Sequence, residues 1–341
     1  MGALRAFYAG AMAGFQLPAG VLAERFGGPL VLALGTALAG LGYLIAGVGA
    51  GFVMLTAALV IGGLGSSTQH PIAANLVARA FAGQRSRAAL AGYNFSGDLG
   101  KMALPAATAG LVALLPWRSA TMVLGTLGIA GAAAVLLARV PAGRAREHAE
   151  AAQSPSRSTG RGFPLLLSIG IIDSATRMGF LTFLPFLLRM KGAELPMIGM
   201  ALTLVFAGGA AGKLVCGFLG ARLGVVRAVV ITEGLTAAGI LALLPLPLVA
   251  GLAVLPLIGI ALNGTSSVLY GTVPELVLPE RRQRAFSIFY TAVIGAGALS
   301  PVLYGLASDS VGVPVMMALL AAVVLLTLPL AWGLAPVLRR L

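Results

Sequence analysis

The chain is 341 residues long, 59% hydrophobic and only 10% charged, far below the charge content of a water-soluble domain, which is about a quarter. Its net charge of +13 would point to nucleic acid in a soluble protein. Here the charges sit in short clusters between long apolar runs, the pattern of a helical membrane protein whose basic residues collect in loops.

In chain order, apolar runs long enough to cross a bilayer as helices (about 20 residues each) predict about eleven spans. They cover 4–22, 29–48, 51–75, 86–113, 119–138, 163–189, 196–220, 226–246, 248–272, 284–306 and 312–337. The runs are continuous rather than alternating, which excludes a transmembrane β-barrel. The 47 glycines fall largely within them, as expected where helices pack closely without a hydrophobic drive between them. Residues 139–162, RVPAGRAREHAEAAQSPSRSTGRG, are rich in Ser, Pro, Arg and Glu, too polar to bury, and predict a cytoplasmic linker. It would separate an N-terminal helical bundle of five spans, 1–138, from a C-terminal bundle of six, 163–341. Residues 1–22 carry one basic residue and lead directly into a charged loop, so no cleavable signal peptide is expected. The single cysteine, Cys216, excludes an internal disulfide and reads as a small buried packing residue.

The charges also orient the chain. Arg25, Arg79, Arg85 and Arg87, the arginines of the linker, Arg222, Arg227, Arg281, Arg282, Arg284, Arg339 and Arg340 fall on one side. Arg5, Arg118, Arg189 and Lys191 fall on the other. The crowded side is expected to be the cytoplasm, with the C-terminus inside.

The two halves repeat. PAGVLAERFGG at 18–28 resembles VCGFLGARLGV at 215–225, so that Gly20, Arg25 and Gly27 match Gly217, Arg222 and Gly224 at a constant separation of 197. RSRAALAGYN at 85–94 matches RQRAFSIFYT at 282–291 with the same separation, pairing Arg85 with Arg282, Arg87 with Arg284 and Tyr93 with Tyr290. Parallel repeats of this kind underlie transporters that rock two halves about a midplane site. The span 163–189 has no counterpart in the first half, so one helix is expected to be missing ahead of Met1.

GVLAERFGG has the form of the major facilitator loop signature, G-x-L-a-D-R-x-G-R-R. Gly20, Leu22, Ala23, Arg25 and Gly27 match, and Glu24 stands at the acidic position. The copy from Gly217 keeps Leu219, Arg222 and Gly224 but has Ala221 where the acid belongs. The chain thus resembles the major facilitator superfamily over essentially its whole length. The resemblance implies an all-α membrane protein of two pseudo-symmetric bundles, working by alternating access. It also implies that Gly20, Glu24, Arg25, Gly27, Gly217, Arg222 and Gly224 form a conformational latch. GLGSSTQHPIAANLVARA at 63–80 is similar to the fosmidomycin-resistance branch of that superfamily, His70-Pro71 carrying the match. Gly100 and Pro105 fit the antiporter motif G-x-x-x-G-P loosely.

Ionisable groups inside spans are site candidates because each costs several kcal/mol unless paired or hydrated. Asp98 and Lys101, at i and i+3, are either a neutralised pair or a proton acceptor beside an ammonium; Asn94 extends the same stripe. Asp173 and Arg177 form an i, i+4 pair that is either structural or a substrate contact, since arginine can grip a carboxylate or phosphonate through two parallel hydrogen bonds. Lys213 either snorkels to the surface or adds positive charge to a cavity. Glu233 pairs with Arg222 or Arg227, or titrates. His70 is expected to end its helix near the cytoplasmic surface, as a structural residue or a proton relay. Asn263 with Tyr270, and Tyr290 by its repeat position, are candidates for binding solute.

Other classes are poorly served. There is no H-E-x-x-H, no G-x-S-x-G and no P-loop, and two histidines with one cysteine supply little for a metal. A membrane-embedded enzyme is the remote alternative, and no cofactor or metal is expected. The expectation is a monomeric, proton-coupled secondary transporter in a bacterial inner membrane, moving a small organic anion bound near Arg177, Lys101 and Asn263. Asp98 is the first proton carrier and Asp173 the second. Export stands ahead of uptake of a carboxylate-type metabolite.

Overall fold

A chain segment in hydrocarbon finds no water for its N–H and C=O groups and must satisfy them internally, which makes helices the natural outcome of these apolar runs. The computed structural model describes residues 2–81, 84–138 and 160–339. The expected linker lies, up to residue 159, outside the described residues.

The helices are α1 (Gly2–Phe26), α2 (Gly28–Val48), α3 (Gly51–Ser66), α4 (Gln69–Ala80), α5 (Gln84–Leu114) and α6 (Trp117–Leu137). After the linker come α7 (Gly162–Met190), α8 (Leu195–Leu223), α9 (Val225–Leu243) and α10 (Leu248–Thr272). Two 3-10 turns follow, Val273–Glu275 and Pro279–Arg281, then α11 (Arg282–Val311), α12 (Val313–Leu325) and α13 (Thr327–Leu338). Among the described residues, nine helical stretches are long and apolar enough to cross a membrane, α3–α4 and α12–α13 each counting as one. α1 and α5 have the length, 25 and 31 residues, but carry more polar side chains.

The run predicted over 51–75 is broken rather than continuous. Ser67 Oγ donates to Leu64 O at 2.6 Å and Thr68 Oγ1 to Gly65 O at 2.9 Å, local bonds that compete with the helical ladder. α4 then restarts with Pro71 in its first turn, where a missing N–H costs no hydrogen bond. His70 therefore begins α4 in the interior of the stretch 51–80 and does not end a helix at the surface. This corrects the sequence expectation, which followed hydropathy across the break.

By internal contacts the described chain forms two units. The first comprises α1–α4, α5 from Gly97, α6, and Leu278–Thr291. In it α2 packs against α6 and α3. A Cβ on Gly40 would come 2.7 Å from Gly125 O, so the α2–α6 crossing depends on backbone approaching backbone.

The second unit comprises Phe81–Ser96, α7–α10 as far as Val277, and the chain from Ala292. Its most extensive helix pair is α8 with α10. A side chain on Gly208, Gly212 or Gly259 would drive into the backbone of Pro256, Ile260 or Val205. Cys216 is buried in this crossing against Gly264. Phe180, Leu184, Val205, Ile240, Leu255 and Met317 form the apolar core of the unit.

Candidate functional site

Two acids stand inside the second unit. Asp173, near the middle of α7, is 3% exposed and Glu233, near the middle of α9, is 1% exposed. Sequence proximity offered Arg222 or Arg227 to Glu233, but both are exposed. Glu233 turns inward instead, and its carboxyl group is the hydrogen-bond neighbour of the Asp173 carboxyl.

Cations and hydroxyls surround this pair. Arg177 follows Asp173 by one turn on α7 and acts on both acids, as Lys213 on α8 acts on Asp173. Arg177 is half-buried and its Nη2 donates to Ser174 Oγ at 3.4 Å, a long bond and the one that a guanidinium's five donors make among the described residues. Thr265 on α10 adjoins Glu233, but its hydroxyl donates to Thr232 Oγ1 at 2.7 Å. Thr232 in turn donates to Ala228 O at 2.9 Å.

Asn263, expected to bind solute, has its Nδ2 directed to Gly259 O at 3.2 Å and packs on Gly209 of α8. Tyr270 is buried near Tyr93, and Asn94 is half-buried on α5.

The remaining candidates lie in the first unit. Asp98 is half-buried on α5; the side chain of Lys101 lies outside the described residues. Tyr290 is buried and stacks on His70 with ring centroids 5.4 Å apart, and on Phe286 at 6.4 Å.

The two copies of the loop signature fold alike. Gly27 joins α1 to α2 with φ 96°, and Gly224 joins α8 to α9 with φ 82°. Both angles lie where glycine is favoured over any residue with a Cβ. Glu24 Oε2 accepts from Arg284 Nη2 at 3.0 Å. Gly20 lies against Ser287, leaving no space there for a Cβ. Arg25 stacks over Phe26 at 5.4 Å. In the second copy the backbone of Gly217 lies within α8 and Arg222 is exposed.

Arg87, the repeat partner of Arg284, finds no acid at Ala221. It forms a two-pronged pair with Glu275, in the 3-10 turn that follows α10. The usable signal was the repeat itself: an arginine at the matching position, without its acid, implied a substitute.

The family model of the Major Facilitator Superfamily matches residues 1–168 and again 166–340. The chain belongs to the Major Facilitator Superfamily. It is a multi-pass membrane transporter and not an enzyme, and as a member of this superfamily it carries a small-molecule substrate. No curated protein sequence matches it significantly.

Its fold is similar to that of the E. coli fucose:proton symporter FucP, with TM-score 0.78 at 13% identity, over 97% of this chain and 90% of that one. It is similar to the human organic anion transporter TETRAN, with TM-score 0.77 at 18% identity, over 96% and 82%. The proton:xylose symporter XylE gives TM-score 0.75 at 13% identity, over 97% and 85%.

Proposed function

We propose that this superfamily member is a proton-coupled secondary transporter of a small organic anion in a bacterial inner membrane, with its C-terminus cytoplasmic. The observation that carries the anion reading is Arg177, whose guanidinium is half-buried beside an acid pair and, among the described residues, donates to Ser174 at 3.4 Å and to no other group. A carboxylate or phosphonate can take two parallel bonds from such a group. Lys213, on the neighbouring helix, adds to the positive potential. The proton carriers are Asp173, with its neighbour Glu233, and Asp98 on α5. The name of TETRAN supports the anion class, and those of FucP and XylE support proton coupling.

Export follows from the resemblance of residues 63–80 to the fosmidomycin-resistance branch. Uptake with protons is the second reading, favoured by the two symporters among the structural neighbours. Proton movement in vesicles carrying the protein, read with a pH-sensitive dye while carboxylates and phosphonates are added in turn, tests the reading. Anion-triggered flux that Arg177→Gln reduces at least tenfold supports it. Flux with neutral sugars and none with anions overturns it. Vesicles of known orientation give the direction.

A further inference from the structure

Carboxylates are acceptors only; an ionised pair in contact has no hydrogen to share and repels in a medium that screens poorly. Asp173 and Glu233 are such a pair in the second unit, each at least nine-tenths buried. One oxygen of each, Asp173 Oδ2 and Glu233 Oε1, is buried and receives no donor among the described residues.

Two of the neighbouring hydroxyls bond each other and the backbone, and those of Thr176 and Thr236 reach neither acid. Thr265 donates to Thr232 Oγ1, and Thr232 donates to backbone carbonyls of its own helix. The charge of Arg177 on α7 acts on both acids and that of Lys213 on α8 acts on Asp173, and neither supplies a bond to the two orphaned oxygens. Two carboxyl groups in this arrangement are satisfied by one hydrogen held between them: the protonated acid donates, the ionised one accepts, and the repulsion disappears.

We propose that Asp173 and Glu233 together form a one-proton binding site inside the second unit, a shared-proton dicarboxyl rather than a single titrating aspartate. The site loads by adding one H⁺ to an oxygen of the pair and unloads by releasing it, with no other bond made or broken. It rests on the proton-coupled reading above and names where the coupled proton sits. Asn or Gln at either position places an NH₂ where the proton was, so Asp173→Asn and Glu233→Gln keep shape and hydrogen bonding while abolishing the site.

Infrared spectroscopy of the purified full chain, without any solute, provides the test. Wild-type protein at neutral pH is expected to show the C=O stretch of a protonated carboxylic acid inside the protein. That band should be lost on raising the pH, with release of one proton per chain. It should be absent from Asp173→Asn/Glu233→Gln and kept in Asp98→Asn.

A wild-type spectrum without the band overturns the proposal, and so does a band that survives in the double variant. A band insensitive to pH but abolished by sodium, marking a cation site instead, overturns it too. If the double variant does not fold, Glu233→Gln alone decides, since its new amide should remove the band while restoring a donor. A wild-type band with no anion-triggered flux in vesicles would leave this site standing and bring down the transport reading alone.

Discussion

Arg87 and Glu275, far apart in sequence, meet in a parallel two-bond ion pair: Nε to Oε1 and Nη2 to Oε2, each 2.6 Å. The third arm of the guanidinium, Nη1, donates to Gly220 O at 3.2 Å near the end of α8. Arg87 thus occupies in the second unit the place that its repeat partner Arg284 occupies at the end of α1 in the first. The acid missing at Ala221 is replaced by one from the turn after α10.

Both side chains of the Arg87–Glu275 pair are largely buried, 17% and 24% exposed. Removing one partner strands the other, so Arg87→Lys, which keeps the charge but loses the fork, should lower stability by about 2 kcal/mol. Glu275→Gln should cost a similar amount. Thermal unfolding in detergent of both singles and the double variant checks this. Coupling shows as a double-variant loss smaller than the sum of the singles; simple additivity would mean that the pair contributes nothing as a pair.

The Arg284–Glu24 pair should behave differently despite the matching repeat positions of the two arginines. Arg284 is 62% exposed and the single contact is 3.0 Å long. Solvent screens such a pair, and exposed ion pairs are worth below about 1 kcal/mol. Glu24→Gln is expected to shift the unfolding temperature only slightly at low salt and not at all at high salt. A loss as large as that of Glu275→Gln would show that the glutamate at this loop has a second partner.

The fold was legible wherever it depended on local hydropathy. The run read over 248–272 is α10, residue for residue, because hydrocarbon leaves a long apolar segment no alternative to a helix. The break after Ser66 was not legible, because hydropathy averages across it and the competing bonds of Ser67 and Thr68 are single-residue events. Of the site, sequence could name Asp173 and Arg177 from their helical spacing. It could not find the partner of Glu233, since Asp173 lies on another helix and nothing in spacing encodes which faces meet. The repeat carried Arg87 and Arg284 to matching positions and showed the acid missing at Ala221, but it could not name Glu275 as the replacement.

Small residues at the α8–α10 crossing should be intolerant of even one methyl group. A Cβ on Gly212 would collide with the backbone oxygen of Ile260, whereas a Cβ on Gly92 of α5 would meet nothing within 4 Å. Gly212→Ala is therefore expected to destabilise by about 1–3 kcal/mol, the usual cost of overpacking. Gly92→Ala should be neutral or stabilise by up to about 1 kcal/mol through helix propensity. The two variants unfolded side by side decide the matter. Equal losses would mean that the crossing relaxes freely and that glycine content alone sets stability.

Lys191 is one of the few basic residues that the charge pattern places on the side opposite the crowded one, and the structure supplies a reason for it to be there. Its Nζ donates to Leu244 O at 2.8 Å and Leu246 O at 2.7 Å, just past the end of α9. The last carbonyls of a helix have no partner within it and carry the negative end of its dipole. An ammonium at that point satisfies both needs. Lys191→Met keeps the apolar stem and removes the donors, and should cost about 1–2 kcal/mol. Lys191→Arg should recover most of that, since it restores charge and N–H groups at similar reach. Unfolding temperatures of the two variants test the assignment. A Met variant as stable as wild type would mean that Lys191 serves only to orient the chain in the membrane, and labelling of its loop from either side would then show the change.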